Sequence, residues 1–219
     1  MSEEIVGGVD EAGRGSLIGP MVVAGVSVRS SKLRFLQESK VKDSKLLLPT
    51  TRRRLYDIIA ENAEMVTVIE VSPKKIDEYV KCGKKLHKLN YLEVITMAKI
   101  IEALDVRAVY VDCPDVKPAR YASDILSLSS VKPRIISEHH ADRNYVVVSA
   151  ASIIAKVTRD RKIDELAKEY GFFGSGYPSD LRTVEFVRNW IETKGNLPDF
   201  VRQSWKSLRK IRSKTLDEY

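Results

Sequence analysis

Sulfur and imidazole are scarce in this chain: two cysteines and three histidines stand among 219 residues. Cys82 and Cys113 cannot build a disulfide framework, and neither lies in a cluster spaced for metal ligation. A small disulfide-stapled domain and a zinc site of thiolates or imidazoles are both excluded. His139 and His140 are adjacent, so their rings diverge, and no third histidine stands near enough to complete a ligand set. Long apolar runs are missing too, since no stretch approaches the ~20 residues of a membrane span. The first residues, Met1-Ser2-Glu3-Glu4, are acidic and run straight into an apolar segment, unlike a cleavable leader. A cytoplasmic, membrane-free protein is therefore expected. The phosphate-binding P-loop signature is absent as well. Gly13-Arg14-Gly15 is no dinucleotide fingerprint, because carboxylates directly before it would repel a pyrophosphate.

What the chain does contain is charge, 31% of all residues, on an apolar fraction of 43%. That balance belongs to a globular protein with a full core, and the length suffices to bury roughly 70–75% of the unfolded surface. The net charge is +7, and basic residues gather toward the end: Arg182, Arg188, Lys194, Arg202, Lys206, Arg209, Lys210, Arg212 and Lys214. A phosphate-rich partner suits such an excess, although any single lysine also reads as part of a solvated helix face.

Apolar patterning predicts an α/β protein. Ile5–Val9 and Met21–Val28 read as neighbouring strands around a glycine- and proline-rich turn, and Met65–Val71 as a third. Helices are expected at Pro49–Glu61, after Ser72-Pro73, and over Leu86–Leu104, the last with a broad apolar stripe. Ala108–Val111 and Pro133–Ser137 read as further strands, Arg120–Leu128 and Tyr145–Tyr170 as helices. The tail from Ser179 looks helical, with a break at Gly195–Pro198. The pattern implies a mixed sheet flanked by helices, with a catalytic domain over 1–178 and a small C-terminal helical lobe over 179–219. Nothing in the sequence suggests an obligate dimer seam, and a monomer is expected.

Asp10 and Glu11 close the first strand and lead into Gly13-Arg14-Gly15. Successive strand residues point to opposite faces, so the two carboxylates converge only if the backbone turns there. Asp112 ends the Ala108–Val111 run, and Asp142 follows Glu138-His139-His140-Ala141. Singly, Asp112 reads as a turn former and Asp142 as a helix N-cap. Beside the Asp10–Glu11 pair they make a four-carboxylate set, whose mutual repulsion calls for neutralisation. Hard divalent cations with oxygen ligands, Mg²⁺ or Mn²⁺, supply it. Two of them about 3.5–4 Å apart activate water and stabilise the leaving oxygen of a phosphodiester. Acids, a basic surface and no nucleophile beside a base point to a phosphodiester hydrolase.

The string Gly8-Val9-Asp10-Glu11-Ala12-Gly13-Arg14-Gly15, with Ile18-Gly19-Pro20, resembles the opening motif of ribonuclease HII. The resemblance continues at Asp43-Ser44-Lys45, Asn90-Tyr91-Leu92-Glu93, Val111-Asp112-Cys113-Pro114, Ala141-Asp142, Val148–Asp160, Gly174–Asp180, and Arg202 with Ser204-Trp205. It implies a ribonuclease H-like fold and endonucleolytic hydrolysis of the RNA strand of RNA–DNA hybrids, including 5′ of single ribonucleotides in duplex DNA. By the same resemblance Asp10, Glu11, Asp112 and Asp142 hold the metals. Gly13, Arg14, Gly15 and Tyr177 would read the ribonucleotide 2′-OH, and Lys45, Ser152 and Lys156 would contact the phosphate backbone. Tyr177 also reads as a simple turn residue, and Lys156 as a solvated one. Ser16 departs from the pattern by standing where a proline is common. A nonenzymatic hybrid binder and a Holliday-junction nuclease are the rival readings. All four acids weigh against the first, and the Gly-Arg-Gly loop with Tyr177 against the second. Leu216 and Tyr219, within Ser213–Tyr219, have the spacing of a sliding-clamp peptide.

Overall fold

The computed structural model describes residues 3–41, 47–82 and 88–216. Along the chain these form β1 (Ile5–Ala12), β2 (Met21–Arg29), α1 (Ser30–Glu38), α2 (Pro49–Asn62), β3 (Met65–Val71), α3 (Pro73–Cys82) and α4 (Lys88–Leu104). There follow β4 (Ala108–Asp112), α5 (Pro118–Leu128), β5 (Arg134–Glu138), α6 (Ala141–Asn144), α7 (Val146–Tyr170), α8 (Leu181–Lys194) and α9 (Lys206–Leu216). The strands make one mixed sheet in the order β3-β2-β1-β4-β5. β2 runs antiparallel to β1, while β4 lies parallel to β1 and β5 parallel to β4.

Glycines in β1 and β2 let helices come close on both faces. A Cβ on Gly8 would run into the backbone of Val147, at the start of α7. One on Gly25 would meet Ile100 and Leu104 of α4. Gly8 pairs with Val26 and Val9 with Gly25, so the two glycines face opposite sides of the sheet. One core lies between the α7 face and Val6, Ala12, Val22, Ala24, Val26 and Val28, joined by Leu55 and Ile59 of α2. From α7 itself come Val148, Ala151, Ile154, Ala155 and Val157.

Three expectations change in detail. β1 continues past Val9, because Asp10, Glu11 and Ala12 pair with Ala24, Val23 and Val22. The helix expected over Tyr145–Tyr170 is α7 and starts at Val146, with the single turn α6 before it and Tyr145 extended between the two. α1 went unread: Leu36 is its one fully buried residue, and the helix is polar on the whole.

Packing divides the chain into two compact units, and the division is not the expected one at 178/179. The first comprises Met1–Ala12, Val22–Ile69 and Asn90–Thr158; the second, Gly13–Met21, Glu70–Leu89 and Arg159–Tyr219. In the second unit, Val187, Leu197, Val201, Leu208 and Ile211 of the tail share one core with Leu17, Ile18, Ile163 and Phe173. Ile18 and Val201 form a β-bridge, and Asp77 of α3 accepts from the amides of Gln203 and Ser204 at 2.8 and 2.9 Å. The tail thus shares its core with earlier segments.

Candidate active site

Within the first unit, the parallel register of β1 and β4 sets Val9 beside Val111. Asp10 and Asp112, one residue further on each strand, therefore project side by side from the same face. Asp10 is 4% exposed. Burial, then the negative charge of Asp112, pushes its carboxyl up to about 7, while hydrogen bonding from Ser152 and the Lys156 charge pull the other way. Ser152 and Lys156 come from α7; the lysine Nζ donates to Ser152 Oγ at 2.9 Å. The backbone amide of Glu11 donates to Asp10 Oδ1 at 2.7 Å.

Asp112 is held from the other side. Its Oδ1 accepts from the Ala141 amide at 2.7 Å, which docks the start of α6 against the end of β4. Asp142, the next residue, is buried in the first turn of that helix. The cap position belongs to His140, in a left-handed conformation and without a side-chain cap bond, so the reading of Asp142 as an N-cap is corrected. Ser149 Oγ donates to the Asp142 carbonyl. Glu138, in register with Asp112, accepts from Tyr145 Oη at 2.8 Å.

Because β1 runs on through Ala12, Glu11 pairs with Val23 within the strand instead of following its end. Among the described residues no group of three or more His, Cys, Asp or Glu side chains is drawn into one metal-ligand cluster. The assembled donor set is the Asp10–Asp112 pair, with Asp142 held next to the Asp112 contact. A buried carboxylate beside a half-buried one is electrostatically strained, and a hard divalent cation relieves that strain. Mg²⁺ takes one or two protein carboxylates and completes its shell with water and phosphate oxygens, so the pair suits it.

In the second unit, Gly13, Arg14 and Gly15 form a tight turn with Gly13 at φ 77°. The loop carrying Tyr177 is bound to the same segment, since Gly176 O accepts from the amides of Leu17 and Ile18 at 2.8 and 3.0 Å. Tyr177 lies half-buried under the Arg159 guanidinium, 4.5 Å from its ring centre. Arg159 Nη2 also donates to Ser175 O at 2.5 Å.

These features can be set beside known proteins. The sequence profile of ribonuclease HII matches residues 7–208. Ribonuclease HII of Pyrococcus abyssi is 43% identical over 98% of this chain and 96% of its own length. The same enzyme of Methanosarcina barkeri is 44% identical over 95% of each. The chain belongs to the ribonuclease HII family.

Solved structures agree. The ribonuclease H2 of Pyrococcus horikoshii superposes with a TM-score of 0.88 at 41% identity, covering 97% of this chain and 99% of that one. Archaeoglobus fulgidus RNase HII, solved as a PCNA complex, gives 0.87 at 41%, covering 98% and 100%. Bst-RNase HIII, at 23% identity and 0.81 over 97% of this chain and 70% of its own, shares the fold. The mixed sheet with its helices is thus a ribonuclease H-like fold, and the family makes the protein a divalent-metal-dependent endonuclease that cleaves the RNA strand of RNA–DNA hybrids.

Of the residues singled out from sequence, Asp10, Asp112, Ser152 and Lys156 come together. Ser152 is fully buried, its hydroxyl directed to Asp10. Lys45 lies outside the described residues, as do the side chains of Ser213–Tyr219. Arg202, counted above among tail residues favouring phosphate, is instead completely buried. Arg159 drew notice only as part of a longer string. An arginine within Phe200-Val201-Arg202, two apolar residues followed by Trp205 three positions on, was the available hint of burial. Among the described residues no helix is long and apolar enough to cross a membrane.

Proposed function

We propose that the chain cuts on the 5′ side of ribonucleotides, including single ones embedded in duplex DNA, and leaves 5′-phosphate and 3′-hydroxyl ends. The observation carrying this is the register that sets Asp10, which is buried, side by side with the half-buried Asp112. Asp10, Glu11, Asp112 and Asp142 are the proposed ligands of two Mg²⁺ or Mn²⁺ ions. When bound, such ions supply an activated water and neutralise charge on the leaving 3′-oxygen.

The chain's own residues do the rest. Lys156 and Ser152 hold Asp10 in one orientation and oppose its protonation. The amide of Ala141 fixes Asp112 in the same way. Gly13, Arg14, Gly15 and Tyr177 are assigned to the 2′-OH, the group by which a protein tells RNA from DNA at a given site. Gly15 is exposed, with open space where a side chain would stand, which supports close approach of a sugar. Lys45 is assigned to the phosphate backbone. A monomer working in ribonucleotide removal and RNA primer clearance completes the reading. The clamp partner proposed for Ser213–Tyr219 draws support from the Archaeoglobus relative, solved as a PCNA complex.

The test is an end-labelled DNA duplex with one ribonucleotide, incubated with Mg²⁺, with Mn²⁺ and with chelator beside an all-DNA control. Metal-dependent cleavage 5′ of the ribonucleotide alone is expected. Cleavage of the control, or none with either metal, overturns the reading.

A further inference from the structure

Arg202 is a buried cation whose hydrogen bonds all reach one stretch of backbone. Its Nη1 donates to Arg14 O at 2.7 Å and its Nη2 to Gly13 O at 2.6 Å. Nε and Nη2 donate to Gly19 O at 3.2 and 3.1 Å. The Trp205 ring lies 4.8 Å from the guanidinium carbon. Gly13 O is further engaged by Ser16, whose hydroxyl and amide donate at 2.8 and 3.2 Å. Burial and the nearby Arg159 charge lower Arg202 to about 9, which still leaves it protonated at neutral pH. Desolvating a guanidinium is costly unless its donors are answered. Here the answering groups belong to the Gly-Arg-Gly turn.

Peptide geometry gives this a consequence. In a planar trans peptide, C=O and N–H point in opposite directions. With the carbonyls of Gly13 and Arg14 drawn inward onto Arg202, the amides sharing those peptide planes, of Arg14 and Gly15, are turned outward. A cation on the carbonyl also polarises the peptide, which strengthens its N–H as a donor. Gly13 permits the arrangement at φ 77°. An added Cβ there would lie 2.6 Å from Pro20 O.

Resting on the reading that this turn meets the ribonucleotide, we infer that Arg202 is a positioning residue for sugar discrimination: its guanidinium orients the peptides of Gly13 and Arg14 so that the amides of Arg14 and Gly15 donate to the ribose 2′-oxygen. Arg202 touches no substrate in this role. Ser16 assists by adding its hydroxyl to the same Gly13 carbonyl. A lysine at 202 keeps the charge but loses the planar fork that spans two successive carbonyls.

The experiment measures kcat and KM for a duplex with one ribonucleotide, and Ki for the same-sequence all-DNA duplex as competitor, under identical Mg²⁺. The ratio Ki/KM reports sugar discrimination. Arg202→Lys is expected to lower it 10-fold or more, mainly through KM, and Ser16→Ala by about 2–5-fold. Loss of packing alone lowers the melting temperature and the amount of active enzyme, hence apparent kcat, and leaves the ratio untouched. Both variants keeping the wild-type ratio within twofold would overturn the inference. Should Arg202→Lys fail to fold, Ser16→Ala decides by the same criterion. A wild-type enzyme with no preference between the duplexes refutes the reading of the turn itself, a separate result from variants that leave an existing preference unchanged.

Discussion

Asp10 shows how one buried carboxyl can couple stability to pH. Its pKa is raised to about 7, first by burial and then by Asp112, while an unfolded aspartate titrates near 3.8. The folded chain binds the proton more tightly, so this group favours folding fully below about 3.8, and that contribution is lost as pH rises through about 7. Asparagine carries no charge to bury. In chelator, Asp10→Asn is therefore expected to melt about 5–10 °C above wild type at pH 8, with the gain vanishing near pH 4. Calorimetry at the two pH values checks it, and a pH-independent difference contradicts the assigned cause. The importance of Asp10 was legible in the sequence because two acids ahead of two glycines are hard to explain by packing. The continuation of β1 through Glu11 was not, since it depends on a ladder to β2 that only the assembled sheet reveals.

At the level of elements, the glycines of β1 decide how closely helices approach. A methyl at Gly8 would occupy the space of the Val147 backbone, and backbone cannot swing aside as a side-chain tip does. Gly8→Ala is expected to destabilise by about 2–4 kcal/mol, seen as a drop of roughly 5–15 °C in melting temperature. A loss under about 1 kcal/mol in denaturant titration contradicts this packing. The strands and long helices were readable from alternation and apolar stripes, and Ser72 does cap α3, accepting from Lys75 N at 3.2 Å. α1 was unreadable because it buries so little, and α6 because a single turn has no periodicity. The docking of α6 on Asp112 came from a long-range contact across 29 residues, which local pattern cannot express.

For the whole molecule, the family match and the net charge of +7 agree with a nucleic-acid substrate. The tail was read from its helical pattern as a small extension packed on the rest of the chain. Its apolar residues complete a core with Leu17, Ile18, Ile163 and Phe173. Sequence order hid this, because those partners come from distant parts of the chain. The end of the tail carries a separate expectation. The peptide Ser213–Tyr219 should bind a sliding clamp in titration calorimetry, and a Leu216→Ala, Tyr219→Ala peptide should not. Absence of heat with the native peptide and with the full chain removes the clamp proposal.

The Asp10–Asp112 pair is proposed to serve metal-dependent hydrolysis rather than folding or simple hybrid binding. The most direct measurement compares turnover and hybrid affinity for wild type, Asp10→Asn and Asp112→Asn at saturating Mg²⁺. Turnover is expected to fall at least about 1000-fold in both variants, about 4 kcal/mol of barrier, while the hybrid Kd stays within about threefold. Cleavage near the wild-type rate in either variant would contradict it.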